Sequence, residues 1–165
     1  MQHTMKGVRS ILPIAALLLG LVEGASAQTA TSTVTYEVTA INEISLSSST
    51  VSLTVNAATA GSAPTAATVA QTWAVTTNQT AAKVTGAINT AMPSGLTLSV
   101  TLGNPASATS AGKKALTAIA VDLVTGITKL NESGLSLDWE LGATAAAGVV
   151  ASANKTATFT ITGGI

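Results

Sequence analysis

Two carboxylates, Asp138 and Glu140, flank Trp139 in the segment DWEL. On a strand, residues two positions apart point to the same face and lie about 6.5–7 Å apart, a separation within the range of a glycosidase carboxylate pair. Such a hydrolase also needs an apolar pocket around one carboxylate, and aromatic residues make up only 2 % of the chain. A weak Ca²⁺ site would use the same oxygens, but no Asp-x-Asp-x-Asp-Gly loop accompanies them. We therefore expect a solvated strand face, with no catalytic residue and no metal site.

The first 27 residues have the three-part pattern of a secretory signal peptide. Lys6 and Arg9 precede an apolar run over residues 11–22, and the small residues Ala25, Ser26 and Ala27 form a cleavage site. The apolar run is shorter than the ~20 residues of a membrane span. The pattern predicts a mature chain of residues 28–165 that is secreted or located at the cell surface, with no membrane contact after cleavage.

Residues 28–165 contain no His, Cys or Arg, and their charged groups are five lysines and six carboxylates. This composition excludes Ser-His-Asp and Cys-His nucleophiles, thiolate and imidazole metal sites, and arginine clamps for phosphate. Five scattered lysines form no basic stripe for nucleic acid. The adjacent Lys113 and Lys114 follow Gly112 and are expected in a solvated turn. The composition thus predicts a protein without enzymatic activity or cofactor.

Trp73 and Trp139 supply half of the four aromatic residues in the mature chain. Each occupies the apolar phase of an alternating segment, which predicts that both pack in the core of a sandwich, one in each sheet. The alternative is an exposed pair that stacks on sugar rings.

Trp73-Ala74-Val75 and Trp139-Glu140-Leu141 resemble the two Trp-x-Leu motifs of the WxL surface proteins of Gram-positive bacteria. The chain departs from that family in Val75, which stands in place of Leu, and in lacking a Pro soon after the second motif. The general layout is also similar to exported Ig-like fibre and pilin subunits. Both resemblances imply an exported surface β-domain.

The segment after the predicted flexible N-terminus (residues 28–33) alternates over an unusual length. Its apolar phase begins with Val34, Tyr36 and Val38 and continues to Leu46. This predicts one long strand that bends or bulges near Asn42, crosses between two sheets or extends beyond its own domain. Such a strand suits β-strand addition, in which one subunit completes the sheet of the next. An ordinary first strand with a frayed end is the other interpretation.

Alternation recurs along the rest of the chain and predicts an all-β fold: a single antiparallel Ig-like β-sandwich of about eight strands over residues 34–165. A second strand is expected at Val51, Leu53 and Val55, and later strands carry Leu96–Leu102, Leu135–Leu141 and Ala157–Ile161. Between residues 121 and 130 the apolar residues Val121, Val124, Ile127 and Leu130 follow a spacing of three, which fits one short helix.

These patterns together favour a structural subunit of an extracellular fibre, pilus or surface coat that associates with itself by strand addition. The alternative is a surface module that binds cell-wall polysaccharide through Trp73 and Trp139. Three Asn-x-Ser/Thr triplets, at Asn78, Asn131 and Asn154, become glycosylation acceptors only if the source modifies exported proteins.

Overall fold

The structure is a computed structural model that describes residues 27–164. Most of the predicted signal peptide therefore lies outside the described residues. The chain divides into two units between Tyr36 and Glu37. In the first unit, residues 27–36 are exposed and form neither helix nor strand.

The second unit is an all-β sandwich, which confirms the predicted fold class. Within residues 37–164 there are nine strands, slightly more than the eight expected, and a 3₁₀ turn at Ala145–Ala147. The strands are β1 (Asn42–Leu46), β2 (Ala67–Thr77), β3 (Ala82–Ile88), β4 (Leu96–Leu102), β5 (Thr109–Ser110), β6 (Lys114–Ala115), β7 (Val121–Ile127), β8 (Leu130–Ala143) and β9 (Ala157–Thr162).

Two antiparallel sheets pack face to face. One has the strand order β1-β2-β8-β4-β6 and the other β5-β7-β3-β9. Along β8 the side chains of Leu135, Leu137 and Trp139 are buried, whereas those of Ser136 and Asp138 between them are exposed. This alternation follows from the period of two in a strand, and fully burying one leucine or valine contributes roughly 1.5–3 kcal/mol.

The predicted helix at residues 121–130 is wrong, because residues 121–127 form β7. The pairing of β3 with β7 shifts register on both sides of Val84, and the adjacent residues Leu123 and Val124 are both buried. A bulge that places neighbouring residues on one face breaks the period of two and imitates helical spacing. Gly126, with a φ of 78°, adds to the irregularity.

The predicted long strand beginning at Val34 is also shorter than expected, because only its last part, Asn42–Leu46, is paired as β1. Directly before β1, the chain is held by Asn78. The Asn78 side chain donates a hydrogen bond to the Thr39 carbonyl (2.7 Å) and accepts one from the Ile41 amide (2.8 Å), and the Asn78 amide donates to the Ile41 carbonyl (3.3 Å). We call these three bonds the Asn78 anchor.

Candidate functional site

Both tryptophans are buried, Trp73 at 1 % exposure and Trp139 at 6 %. The expectation of one tryptophan in each sheet is wrong, since β2 and β8 are neighbours in the five-stranded sheet. The Trp139 ring meets Phe159 of the opposite sheet edge-on, with centroids 5.7 Å apart, and its Nε1 donates to Gln71 Oε1 (3.1 Å). Trp73 is closed off from solvent, and only a small part of Trp139 is accessible, which is too little for a sugar ring to stack on.

Asp138 and Glu140 lie on the outer face of β8, opposite Trp139, as the spacing predicts. Glu140 forms an ion pair with Lys113 at 3.0 Å, and Asp138 is exposed. Among the described residues, no group of three or more potential metal ligands is found.

The two adjacent lysines differ in their secondary structure, and the three asparagines of the Asn-x-Ser/Thr triplets differ in their exposure. Lys114 begins β6 and pairs with Val100, so that only Lys113 lies in the turn where both were expected. Asn131 and Asn154 are exposed, whereas the Asn78 amide is engaged in the anchor described above.

Large apolar side chains are exposed in residues 33–39, which we call the N-terminal segment. Val34 is 75 % exposed, Tyr36 89 % and Val38 78 %. The alternation of the segment is that of a half-buried strand, yet within the described chain it has no strand partner. The sequence identified these three residues as a candidate donor strand.

Residues 51–56 form a second alternating stretch without a partner. Val51, Leu53 and Val55 are partly buried, and Ser52, Thr54 and Asn56 are exposed, so the stretch has the side-chain pattern of the strand that was predicted there. However, none of its backbone N–H or C=O groups forms a hydrogen bond with another described residue. Just before it, the Thr50 carbonyl accepts a hydrogen bond from Gln71 Nε2 (3.2 Å), which ties the start of the stretch to β2 through a side chain.

β9 is an edge strand with one open side, since it pairs only with β3. The Asn89 amide donates to the Thr156 carbonyl (2.9 Å), which shows that the backbone of Thr156 faces the β3 side. Backbone groups alternate along an antiparallel strand, so those of Thr158 and Thr160 face β3 as well, and those of Ala157 and Phe159 point to the open side. Most edge strands are shortened or carry lysine or proline; β9 has six residues and neither of these.

Between residues 51–56 and β9 lies a groove with apolar and polar lining, which we call the open-edge groove. It consists of two cavities of about 760 Å³ and 320 Å³ that share six lining residues. Its floor includes Leu98, Trp139 and Leu141 from the five-stranded sheet, together with Met92. Sequence reasoning identified the apolar phases of both walls but could not show that they are left unpaired.

No protein-family model, curated protein or solved structure matches this chain. The resemblance to WxL proteins and to fibre subunits therefore stays a prediction. In the described part of the chain, no helix has the length and apolar character needed to cross a membrane.

Proposed function

We propose that this protein is a non-enzymatic, exported structural subunit of an extracellular fibre, pilus or surface coat, and that its copies associate by β-strand addition. The observation that carries the proposal is the N-terminal segment, in which Val34, Tyr36 and Val38 are at least three-quarters exposed on one phase of an unpaired strand pattern. Burial of a valine side chain contributes roughly 1.5–3 kcal/mol. Such a segment gains free energy when it finds a sheet edge.

The composition supports the same function. Residues 28–165 lack His, Cys and Arg, and threonine supplies the solvent face of the strands. With only a few charges, the sheet edges carry little of the repulsion that keeps strands of different copies apart. The pattern of a signal peptide in the first 27 residues supports export.

The alternative prediction, a cell-wall or polysaccharide-binding module, depends on Trp73 and Trp139. Since both indole rings are buried, no observation favours it over the structural function.

Electron microscopy and light scattering of the secreted protein test the proposal. We expect fibres or high oligomers from the full-length secreted chain and from a variant lacking residues 28–33, which precede the N-terminal segment. The triple substitution Val34→Thr, Tyr36→Thr and Val38→Thr removes the apolar phase but keeps strand propensity, and it should leave the protein monomeric.

A matched triple substitution on the opposite phase, Thr35→Ser, Glu37→Gln and Thr39→Ser, serves as the control and should assemble like the unmodified protein. Only monomeric particles from the unmodified protein at high concentration would overturn the proposal, as would unchanged assembly of the threonine triple variant.

A further inference from the structure

The sheet formed by β5, β7, β3 and β9 ends at β9, and no described strand pairs with the outer side of β9. β9 bounds the open-edge groove on one side and residues 51–56 bound it on the other, and both sides have backbone groups without partners in the described chain. Strands in a sheet hydrogen-bond to neighbours on both sides at a spacing of about 4.7–4.9 Å. An extended segment in the groove would thus find hydrogen-bonding backbone on each side and an apolar floor beneath it.

The N-terminal segment is about as long as β9 and has an apolar phase that suits the groove floor. Because the Thr39 carbonyl is held by Asn78 of its own copy, six residues, 33–38, are available. They span about 20 Å when extended, as do the six residues of β9, of which Ala157 and Phe159 line the groove. The apolar phase of the segment, Val34, Tyr36 and Val38, would contact the groove floor. That floor is formed by Leu98, Trp139 and Leu141. The opposite phase, Thr35 and Glu37, would face solvent beside Thr158 and Thr160 of β9.

Both cavities of the groove have polar as well as apolar lining, including Asn154 and Lys155. The Lys155 ammonium is already engaged, since it donates to the Ala91 carbonyl (2.9 Å) and to the Thr90 hydroxyl.

We infer that the open-edge groove of one copy binds the N-terminal segment of a second copy, as an added strand that pairs with β9 and directs Val34, Tyr36 and Val38 onto the groove floor. The inference rests on the proposed function and deepens it, since it assigns the acceptor site.

Cysteine cross-linking tests the inference, because residues 28–165 contain no native cysteine. Facing outward residues of paired strands have Cβ atoms about 4.5–5.5 Å apart, close enough for a disulfide after small adjustment. Two double variants combine Glu37→Cys with Thr158→Cys or with Thr160→Cys. In the control, Glu37→Cys is combined with Thr109→Cys on β5, the other edge of the same sheet. All four positions are exposed, so folding should be unaffected.

After oxidation with diamide, we expect a ladder of disulfide-linked multimers on non-reducing gels from one or both β9 variants. We expect no ladder from the control. Adding the threonine substitutions at Val34, Tyr36 and Val38 should abolish the ladder.

Three other outcomes would overturn the inference, and each is distinguishable. A cross-link within single chains at every protein concentration means that the groove takes the segment of its own copy. Fibres without a ladder from either β9 variant mean that the acceptor lies elsewhere, and the proposed function stands. If neither the unmodified chain nor any variant forms fibres or multimers, both the inference and the proposed function are wrong.

Discussion

At the scale of single residues, Gln71 has an unusual position because its side chain links three parts of the sandwich. On β2 it accepts a hydrogen bond from Trp139 Nε1 on β8 and donates one to the carbonyl of Thr50, next to the unpaired stretch 51–56. No backbone hydrogen bonds join β2 to residues 51–56, and the Gln71 side chain connects β2 to the start of this stretch instead. It also satisfies the indole N–H on the floor of the open-edge groove.

Substitution of Gln71 by Ala should therefore lower the free energy of unfolding by about 1–3 kcal/mol, because it removes both bonds and leaves a largely buried indole N–H without its partner. Urea denaturation followed by tryptophan fluorescence measures this change. Thr68→Ala, at an exposed position of the same strand, is the control and should stay within about 0.5 kcal/mol of the unmodified protein. Equal stabilities of the two variants would contradict the role given to Gln71.

At the scale of elements, the edges of the two sheets differ in how they are protected. β5 and β6 each have two residues, and β6 begins with Lys114; short strands and lysine both discourage pairing with another chain. The other two edge strands, β1 with five residues and β9 with six, contain neither lysine nor proline, and β9 lies beside the groove. Residues 51–56 beside it have the phase of a strand without its hydrogen bonds. The unpaired edge of β9 and the unpaired stretch 51–56 bound the same groove from opposite sides.

Hydrogen exchange distinguishes these elements in solution. In the monomeric Val34→Thr, Tyr36→Thr, Val38→Thr variant, we expect the amides of residues 51–56 to exchange fast, because they lack hydrogen bonds, and those of β8 near Leu137 to exchange slowly. In the assembled unmodified protein, residues 157 and 159 of β9 should become more protected than in the monomer. Mass spectrometry of peptic fragments provides the measurement, and protection of residues 51–56 equal to that of β8 in the monomer would count against an open groove.

At the scale of the whole molecule, charge contributes little to holding the sandwich together. Two ion pairs occur among the described residues, Lys83–Asp122 and Lys113–Glu140, both at 3.0 Å and both with partly exposed side chains. Exposed pairs of this kind are worth roughly 0–1 kcal/mol each. The core of Val84, Val100, Leu102, Leu123 and Leu137, all fully buried, carries the stability instead.

From about 0.1 M to about 1 M sodium chloride the Debye length falls from about 10 Å to about 3 Å. We expect the free energy of unfolding of the monomeric variant to change by less than about 1 kcal/mol over this range, and fibres of the unmodified protein to persist. Urea titrations and electron microscopy at both salt concentrations check this. Dissolution of the fibres in high salt would show that assembly depends on charge and not on apolar burial.

Much of this fold follows from alternation alone, as in β4, where the apolar residues from Leu96 to Leu102 match the paired strand. Bulges are harder to predict: at β7 the adjacent buried residues Leu123 and Val124 replace alternation, and the sequence suggested a helix instead. Alternation also cannot show where the partner of a strand is located. It marks Val34 and Leu53 as strand-like, but the lack of a partner for either stretch within the described chain appears only in three dimensions.

The Asn78 anchor has a mechanical consequence for a filament of this kind. Tension along the filament would enter each subunit at the C-terminal end of its N-terminal segment, where the first firm attachments are the bonds of Asn78 to Thr39 and Ile41. Because the inserted strand would run beside β9, the pulling force would act along the strand axes. The hydrogen bonds of the joint would then be loaded together in shear, which resists rupture better than peeling them apart one at a time.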